Sequence, residues 1–265
     1  MTALLATFRN ISTRSLRVWQ RDIDVYRTNW RTEFLPPLLE PILYVFAFGF
    51  GLGSLVPHVQ YLGRPVAYLN FMAPGIVAVA IMFWAFFETT YSSFVRMYYQ
   101  RTFDAILATP LLVEDVIAGE MLWGATKAVI AASIMLGVLT ALHLVAWPAS
   151  LWVLPVALAG GLLFAGLGLV ITALTTNISQ FNLPIFLLIT PMFVFSGTFF
   201  PVDVLPLWAR VVAWALPLTH IAALVRAAVM GLPDPAAGWH VAYLAAAALA
   251  LPVSGLVLMK RRLIP

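Results

Sequence analysis

This sequence predicts an all-α integral membrane fold of six transmembrane helices, on three observations. Of its 265 residues, 62% are hydrophobic and 10% charged, with a mean hydropathy of +0.95; a soluble domain carries about 25% charged residues. Six apolar stretches are long enough to cross a bilayer core, which takes about 20 helical residues, whereas barrel strands are about half that length and alternate. The basic residues behind the net charge of +4 and the pI near 9.6 gather at the span ends, where a membrane protein carries its orientation signals. That distribution argues against nucleic acid as a partner. Cysteine is absent, which removes disulfides, thiolate metal sites and a cysteine nucleophile.

The first element is an arginine-rich segment, residues 1–33. On a helical projection Leu16, Trp19, Ile23, Tyr26 and Trp30 share one face, with Arg14, Arg17 and Arg21 roughly opposite. This is the pattern of an amphipathic helix resting in the membrane interface, as a plain anchor or also as a contact for a partner. No signal peptide is legible, because the first apolar run starts only at Phe34. The membrane domain takes residues 34–265, with spans near 34–54, 69–95, 118–145, 151–174, 181–199 and 239–259. With the N-terminus inside, the cytoplasmic side receives Arg9, Arg14, Arg17, Arg21, Arg27, Arg31, Arg96, Arg101, Lys260, Arg261 and Arg262. The outside receives only Arg64, Arg210 and Arg226, and Lys127 lies within a span. The positive-inside rule therefore places both termini in the cytoplasm.

Between the second and third spans lies a charged run too polar to cross and too patterned to be loose loop. Phe103, Ile106 and Leu107 stand at i, i+3 and i+4, giving a short helix one apolar face. Thr102 is placed to cap its start and Pro110 to stop it, since the residue before a proline avoids the α region. Glu114 and Asp115 then suit the positive end of the next helix. A stub helix lying on the surface merely closes a turn; a projecting one is a handle for a separate motor. After the fifth span, Pro217 divides residues 201–231 into two apolar helices of roughly 11 to 13 residues, shorter than the ~17 needed to cross. They read as a re-entrant pair on the outer face, with Thr219 placed to cap the second and Gly231 to end it. Non-helical backbone at its tip requires cover by protein or water, so Pro217 is expected near an interface or a pathway exit. At the outer end of the fifth span, beside Ser196-Gly197-Thr198, Phe195 and Phe199 form either packing or a hydrophobic outer gate. No internal repeat and no linker to a second domain is visible.

Catalytic patterns are missing. A P-loop needs Gly-Lys-Ser/Thr, and the only lysines, Lys127 and Lys260, follow Thr126 and Met259. No His-Glu-x-x-His occurs, and His58, His143, His220 and His240 are scattered along the chain, all toward the predicted outer side; no metal site is expected. An intramembrane serine protease fails because Val194 stands where a glycine is expected before Ser196. Intramembrane charges are the better lead, since an ionised group in a span usually faces protein or a cavity. At about 1.5 Å per residue, Glu40, Glu88 and Lys127 lie roughly 9, 10 and 13 Å from the cytoplasmic ends of their helices. Tyr44 follows Glu40 by one turn, and Trp84 and Tyr91 flank Glu88. Two readings stand: a Glu88–Lys127 pair that locks helices together, or a polar belt at the inward mouth of a pathway. A proton-coupled carrier using Glu88 or Glu40 is the alternative of another class.

The order of amphipathic helix, two spans, charged stub, three spans, outer helix pair and last span resembles the ABC-2 class of exporter permeases over nearly the whole chain. The segments Phe87-Glu-Thr-Thr-Tyr91, Gln100-Arg-Thr-Phe-Asp-Ala-Ile-Leu107, Gly119-Glu-Met-Leu-Trp-Gly-Ala-Thr-Lys127, Ser196-Gly-Thr-Phe-Phe-Pro-Val-Asp203 and Leu216-Pro-Leu-Thr-His220 are similar to the NodJ branch, permeases of lipo-oligosaccharide (nodulation-factor) exporters. The resemblance implies a homodimer in the bacterial inner membrane docked on two separately encoded P-loop ATPase subunits, which would carry the ATP and Mg; no cofactor is expected in this chain. It implies that Arg101, Thr102, Phe103, Asp104, Ile106 and Leu107 form the coupling helix that docks on the ATPase. The pathway would run between the two copies along spans one, two and five. The cargo it implies is an amphipathic, saccharide-bearing lipid, with a hydrophobic drug or small molecule as the alternative.

Overall fold

The computed structural model describes residues 11–264. Arg9, counted above with the cytoplasmic charges, lies outside the described residues, as do the rest of the first ten and Pro265. Helix α1 (Ser15–Thr28) leads into α2 (Trp30–Leu55), a β-hairpin of β1 (His58–Tyr61) and β2 (Arg64–Ala67), and α3 (Tyr68–Tyr99). The short α4 (Thr102–Leu107) precedes α5 (Val113–Ala141), α6 (Ala149–Leu174) and α7 (Ile178–Phe195). Then come α8 (Leu207–Ala215), α9 (Pro217–Met230) and α10 (Ala237–Leu263). Among the described residues six helices, α2, α3, α5, α6, α7 and α10, are long and apolar enough to cross a membrane, and their bounds lie close to those expected. Helices α8 and α9 meet at 82°.

The elements sort onto two faces. On the terminal face, Arg14 donates to the Pro110 carbonyl at 2.5 Å, Ser12 bonds Asp115, and Lys260 pairs with Glu114 at 2.7 Å. This gathers α1, α4, the start of α5 and the end of α10. On the hairpin face, Arg226 of α9 bonds the Phe71 carbonyl and the Ala146 amide bonds Val229. Between them lies a dry core built around α3, in which Ile81, Met82, Phe86, Met135, Leu163 and Phe164 are wholly buried. Apolar surface alone gives helices in lipid little reason to associate, so close approach of small residues carries much of the packing. Gly161 shows this: a Cβ there would stand 2.9 Å from Ala125 Cα, so α5 and α6 touch backbone to backbone.

Several local expectations are corrected. Helix α1 is present, but its docked face is Ser15, Val18, Asp22 and the flanks of Trp19 and Tyr26, while Leu16 and Trp30 are exposed. The Trp19 indole donates to Thr126 and Tyr26 packs edge-on against Trp123, so the helix leans on α5 instead of presenting its apolar stripe outward. Thr102 does not cap α4; Arg101 takes the N-cap position in the left-handed region, without a side-chain cap. Thr219 does not cap α9 either. Pro217 fills its first turn, where a missing amide costs nothing, and the Thr219 hydroxyl donates back to the Ala213 carbonyl at 2.5 Å, satisfying the end of α8. Gly231 ends α9 at φ 65° as expected. The loop after the first span was not expected to hold strands: Leu62 (φ 50°) and Gly63 (φ 72°) both turn left-handed, the geometry of a two-residue hairpin turn.

The small-residue seam predicts that Gly161→Ala lowers thermal stability in detergent by about 1–3 kcal/mol through overpacking. Gly137→Ala, where nothing lies within 4 Å, should instead leave it unchanged or raise it by up to about 1 kcal/mol. Equal effects of the two changes would show that the α5–α6 contact is not close-packed.

Candidate functional site

Where the sequence offers one ion pair near the terminal face, the structure places a chain of them. Lys127 Nζ lies 2.8 Å from Glu88 Oε2 and 2.6 Å from Glu33 Oε2, joining α5 to α3 and α2. Eight residues beyond Glu88 on α3, Arg96 reaches back to Glu88 Oε1 at 2.7 Å. It also grips Glu120 of α5 side-on, Nε to Oε1 at 3.0 Å and Nη2 to Oε2 at 2.5 Å, the two-pronged contact that suits guanidinium and carboxylate. Ser93 donates to the same Glu120 oxygen. Glu88 and Glu120 are both buried. Part of the geometry comes from α3 itself, which widens into π-helical turns at Glu88–Ser92 and Val95–Tyr99; such turns recur at functional sites.

This chain lines a cavity of about 550 Å³ on the terminal face, closed on one side by α1. Arg21, Asp22, Glu33, Glu88, Arg96 and Lys127 supply its charges, and Tyr26, Tyr91 and Trp123 its rings. Arg21 Nη1 and Asp22 Oδ2 are buried there without a hydrogen-bond partner. Burial pushes the Asp22 carboxyl up to about 7; Glu120 and Glu88 add to the rise, and Arg96 and Arg21 oppose it.

Of the residues singled out from sequence, Glu88, Lys127, Trp84 and Tyr91 come together: Lys127 Nζ sits 5.8 Å over the Trp84 ring, and Tyr91 lines the cavity. Glu40 and Tyr44 do not join them. Glu33, two turns earlier on α2, takes the place expected of Glu40, which has no ion pair among the described residues. Tyr44 instead begins a ladder of rings, all half-buried except the buried Phe181 at its end. It contacts Phe48, which contacts Phe199 at 5.2 Å, then Phe193 at 5.1 Å, Phe83 at 5.8 Å, Phe87 at 5.5 Å, Tyr91 at 5.9 Å and Phe181 at 5.0 Å. The ladder runs from the hairpin face down α2, α3 and α7 to the charged cavity. Phe195 stands off it against Trp208, and Pro217 marks the α8–α9 bend.

Helix α4 turns its apolar side inward. Phe103 is buried among Phe94, Ile117, Phe181 and Met259, with Ile106 and Leu107 packed against the same cluster. Thr102 is half-buried, while Arg101, Asp104 and Ala105 are exposed, with Arg101 Nη1 3.3 Å from Asp104 Oδ2. On the hairpin face the structure brings together two histidines scattered in sequence. His220 Nε2 faces the Trp214 carbonyl at 3.0 Å and therefore donates, leaving its Nδ1 to accept from His240 Nδ1 at 2.7 Å. His240 Nε2 then faces Asp234 at 3.5 Å. No group of three metal-ligating side chains is present among the described residues.

A family model described as ABC-2 type transporter matches residues 15–230. Nodulation protein J of Rhizobium leguminosarum bv. viciae is 38% identical over 248 residues, covering 94% of each chain. Nodulation protein J of Rhizobium meliloti (strain 1021) is 36% identical over 250 residues, again 94% of each. Inner membrane transport permease YadH of Escherichia coli (strain K12) is 22% identical over 220 residues, 82% of this chain and 83% of that one.

Two outcomes follow from the charge chain. Arg96→Met strands Glu120 and should cost about 3–5 kcal/mol in unfolding measurements; adding Glu120→Gln should recover part of it. Lys127→Met should cost less, because Arg96 still holds Glu88. A Lys127→Met as damaging as Arg96→Met would refute this ranking. For Asp22, a carboxyl raised on docking binds its proton more tightly in the docked state, so the contribution is complete at acid pH and is lost as pH rises through about 7. Hydrogen exchange across residues 15–28 should therefore quicken from about pH 6 to about pH 8 beyond the intrinsic chemical rate, and Asp22→Asn should abolish that excess.

Proposed function

The chain belongs to the ABC-2 type transporter family, and from that premise we propose that it is the permease subunit of an ATP-driven exporter of an amphipathic, saccharide-bearing lipid. Two copies would work with two separate P-loop ATPase subunits, which bind ATP and Mg. The terminal face is then the cytoplasmic side of a bacterial inner membrane. The observation that carries this reading is the continuity between the charged cavity and the ring ladder. Carboxylates, guanidinium and ammonium groups among aromatic faces suit a polyhydroxyl head, and the exposed flank of α2 beside them suits an acyl chain. The ladder offers a head group successive stacking faces across the membrane. Relatives named for nodulation agree with a lipo-oligosaccharide cargo. A hydrophobic drug fits the charged entrance less well. A proton-coupled carrier could not use Glu88 freely, since it is already bonded to two cations, which leaves Glu40 as the site that alternative would need.

In this reading α4 is the ATPase contact, with its residues dividing the work. Arg101 and Asp104 face the partner, and Phe103, Ile106 and Leu107 tie the helix to the cluster of Phe94, Phe181 and Met259. A push on α4 would reach α3, α7 and α10 through that cluster. Pro217 at the α8–α9 bend and Phe199 at the far end of the ladder would border the exit.

The test is co-purification with the P-loop ATPase co-expressed from the same genome. The double change Arg101→Glu, Asp104→Arg keeps an exposed pair of small intrinsic worth but reverses the charges offered to a partner. It should weaken the complex about tenfold or more while thermal stability holds. Phe103→Ala is unsuitable because it empties a core site. A wild-type chain that binds no ATPase would refute the reading.

A further inference from the structure

We infer that the hairpin face carries a second, separate pocket that binds a single neutral sugar ring. It is a cavity of about 230 Å³ between the β-hairpin, the turn after α7, the α8–α9 bend and the start of α10. It lies at the opposite end of the dry core from the charged cavity. Pockets for drug-sized ligands begin near 300 Å³, so this one admits one ring and its substituents, with the rest of any oligomer left outside it.

Its wall carries the groups a polyol needs. Arg226 is buried on α9 and donates to two carbonyls, Phe71 at 3.0 Å and Gly197 at 2.8 Å. Its guanidinium lies 4.0 Å from the Phe71 ring centre and 5.2 Å from that of Tyr61, and no carboxylate forms an ion pair with it among the described residues. Ser196 lines the same cavity and is 1% exposed, and its buried hydroxyl has no hydrogen-bond partner. A buried hydroxyl left unmatched costs free energy that a ligand hydroxyl would recover. Asp203 and Asp234 add acceptors, and Trp214, stacked at 16° on His240, adds an aromatic face.

The balance of groups selects the ligand. Two carboxylates against one guanidinium disfavour an anion, and the guanidinium disfavours a cation. A purely apolar ligand would leave the Ser196 hydroxyl unmet and cover the Asp203 carboxylate without a donor; Asp234 already accepts from the Ala236 amide at 2.8 Å. A neutral ring can donate to Asp203 and Asp234, exchange hydrogen bonds with Ser196, and stack on Trp214. The floor is also built in advance. Gly197 sits at φ 72° with Val202 2.7 Å from where its Cβ would be, and a Cβ on Gly75 would lie 2.8 Å from the Thr198 carbonyl, so the turn is pressed onto α3. A stiff site loses little freedom on binding.

The pocket's chemistry stands by itself; its role as the station that receives the cargo's sugar on the far side rests on the export reading above. The experiment uses the full chain in lipid nanodiscs, with cellotetraose, maltotetraose and chitotetraose as probes, followed by calorimetry and saturation-transfer NMR. At least one probe should bind wild type. Ser196→Ala, which removes a hydroxyl the fold does not use, and Trp214→Ala should each weaken binding about tenfold. Asp22→Asn, on the other cavity, should not. The proposal is overturned if none of the probes binds, if binding survives both Ser196→Ala and Trp214→Ala, if Asp22→Asn removes it, or if only an acidic probe, tetragalacturonate, binds. Loss of the ATPase complex would count against the export reading and leave sugar binding as measured.

Discussion

Arg96 is the residue on which the terminal half of this protein depends. Its guanidinium holds Glu88 on its own helix and Glu120 on α5, and Lys127 carries the chain on to Glu33 of α2. Burying charge is expensive, and a buried ion pair adds little over apolar packing, but stranding one member is severely destabilising. Such a chain therefore acts as an interlock: α2, α3 and α5 meet in one register or leave an ion unpaired. In lipid, where apolar surface alone does not order helices, that selectivity fixes an arrangement that greasy faces would leave loose. The same chain makes the cavity beside α1 polar, so one set of contacts supplies both the frame and the chemistry.

The excess of carboxylates in that chain reaches α1 through Asp22, which is buried against it with one oxygen unmatched. A helix docked by a polar and titratable face is held differently from one sunk by an apolar stripe. Its hold depends on the charge state of its surroundings, so anything that enters the cavity and alters that charge also alters how firmly α1 closes it. Phe103 shows the opposite arrangement on the same face. There an apolar anchor fixes a short helix whose polar side remains free.

Much of the architecture was legible in the sequence because length and hydropathy decide it. The spans, the stub ended before Pro110 and the bend at Pro217 all follow from local rules that lipid enforces strictly. The charge chain was only half legible. Glu88 and Lys127 stood out as charges within spans, but Arg96, near a span end, looked like a topology signal, and Glu120 carried no local signal that set it apart. Glu33 rather than Glu40 meets Lys127 because α2 starts earlier than its apolar run, a choice hydropathy cannot make. The hairpin was missed because Leu62 takes a left-handed conformation that leucine seldom adopts. The inward turn of Phe103, the pairing of His220 with His240 and the pocket around Arg226 depend on contacts distant in sequence, on which periodicity is silent.

The dry middle of the molecule constrains where any cargo passes. Ile81, Met82, Phe86, Met135, Leu163 and Phe164 are sealed between the two polar ends, so a saccharide has no route through the interior of one subunit. The half-buried rings from Tyr91 to Phe48 lie on the flank instead, along α2 and α7, the sparsely packed spans of the N-terminal and central parts of the chain. A polar head on that flank, with lipid on its other side, would lose its water without replacement, which is costly. Covering it requires a second wall of similar chemistry, and a second copy of this chain presenting the same flank supplies one by symmetry. On the export reading proposed above, the ring ladder thus calls for a second copy of the chain to cover the head group.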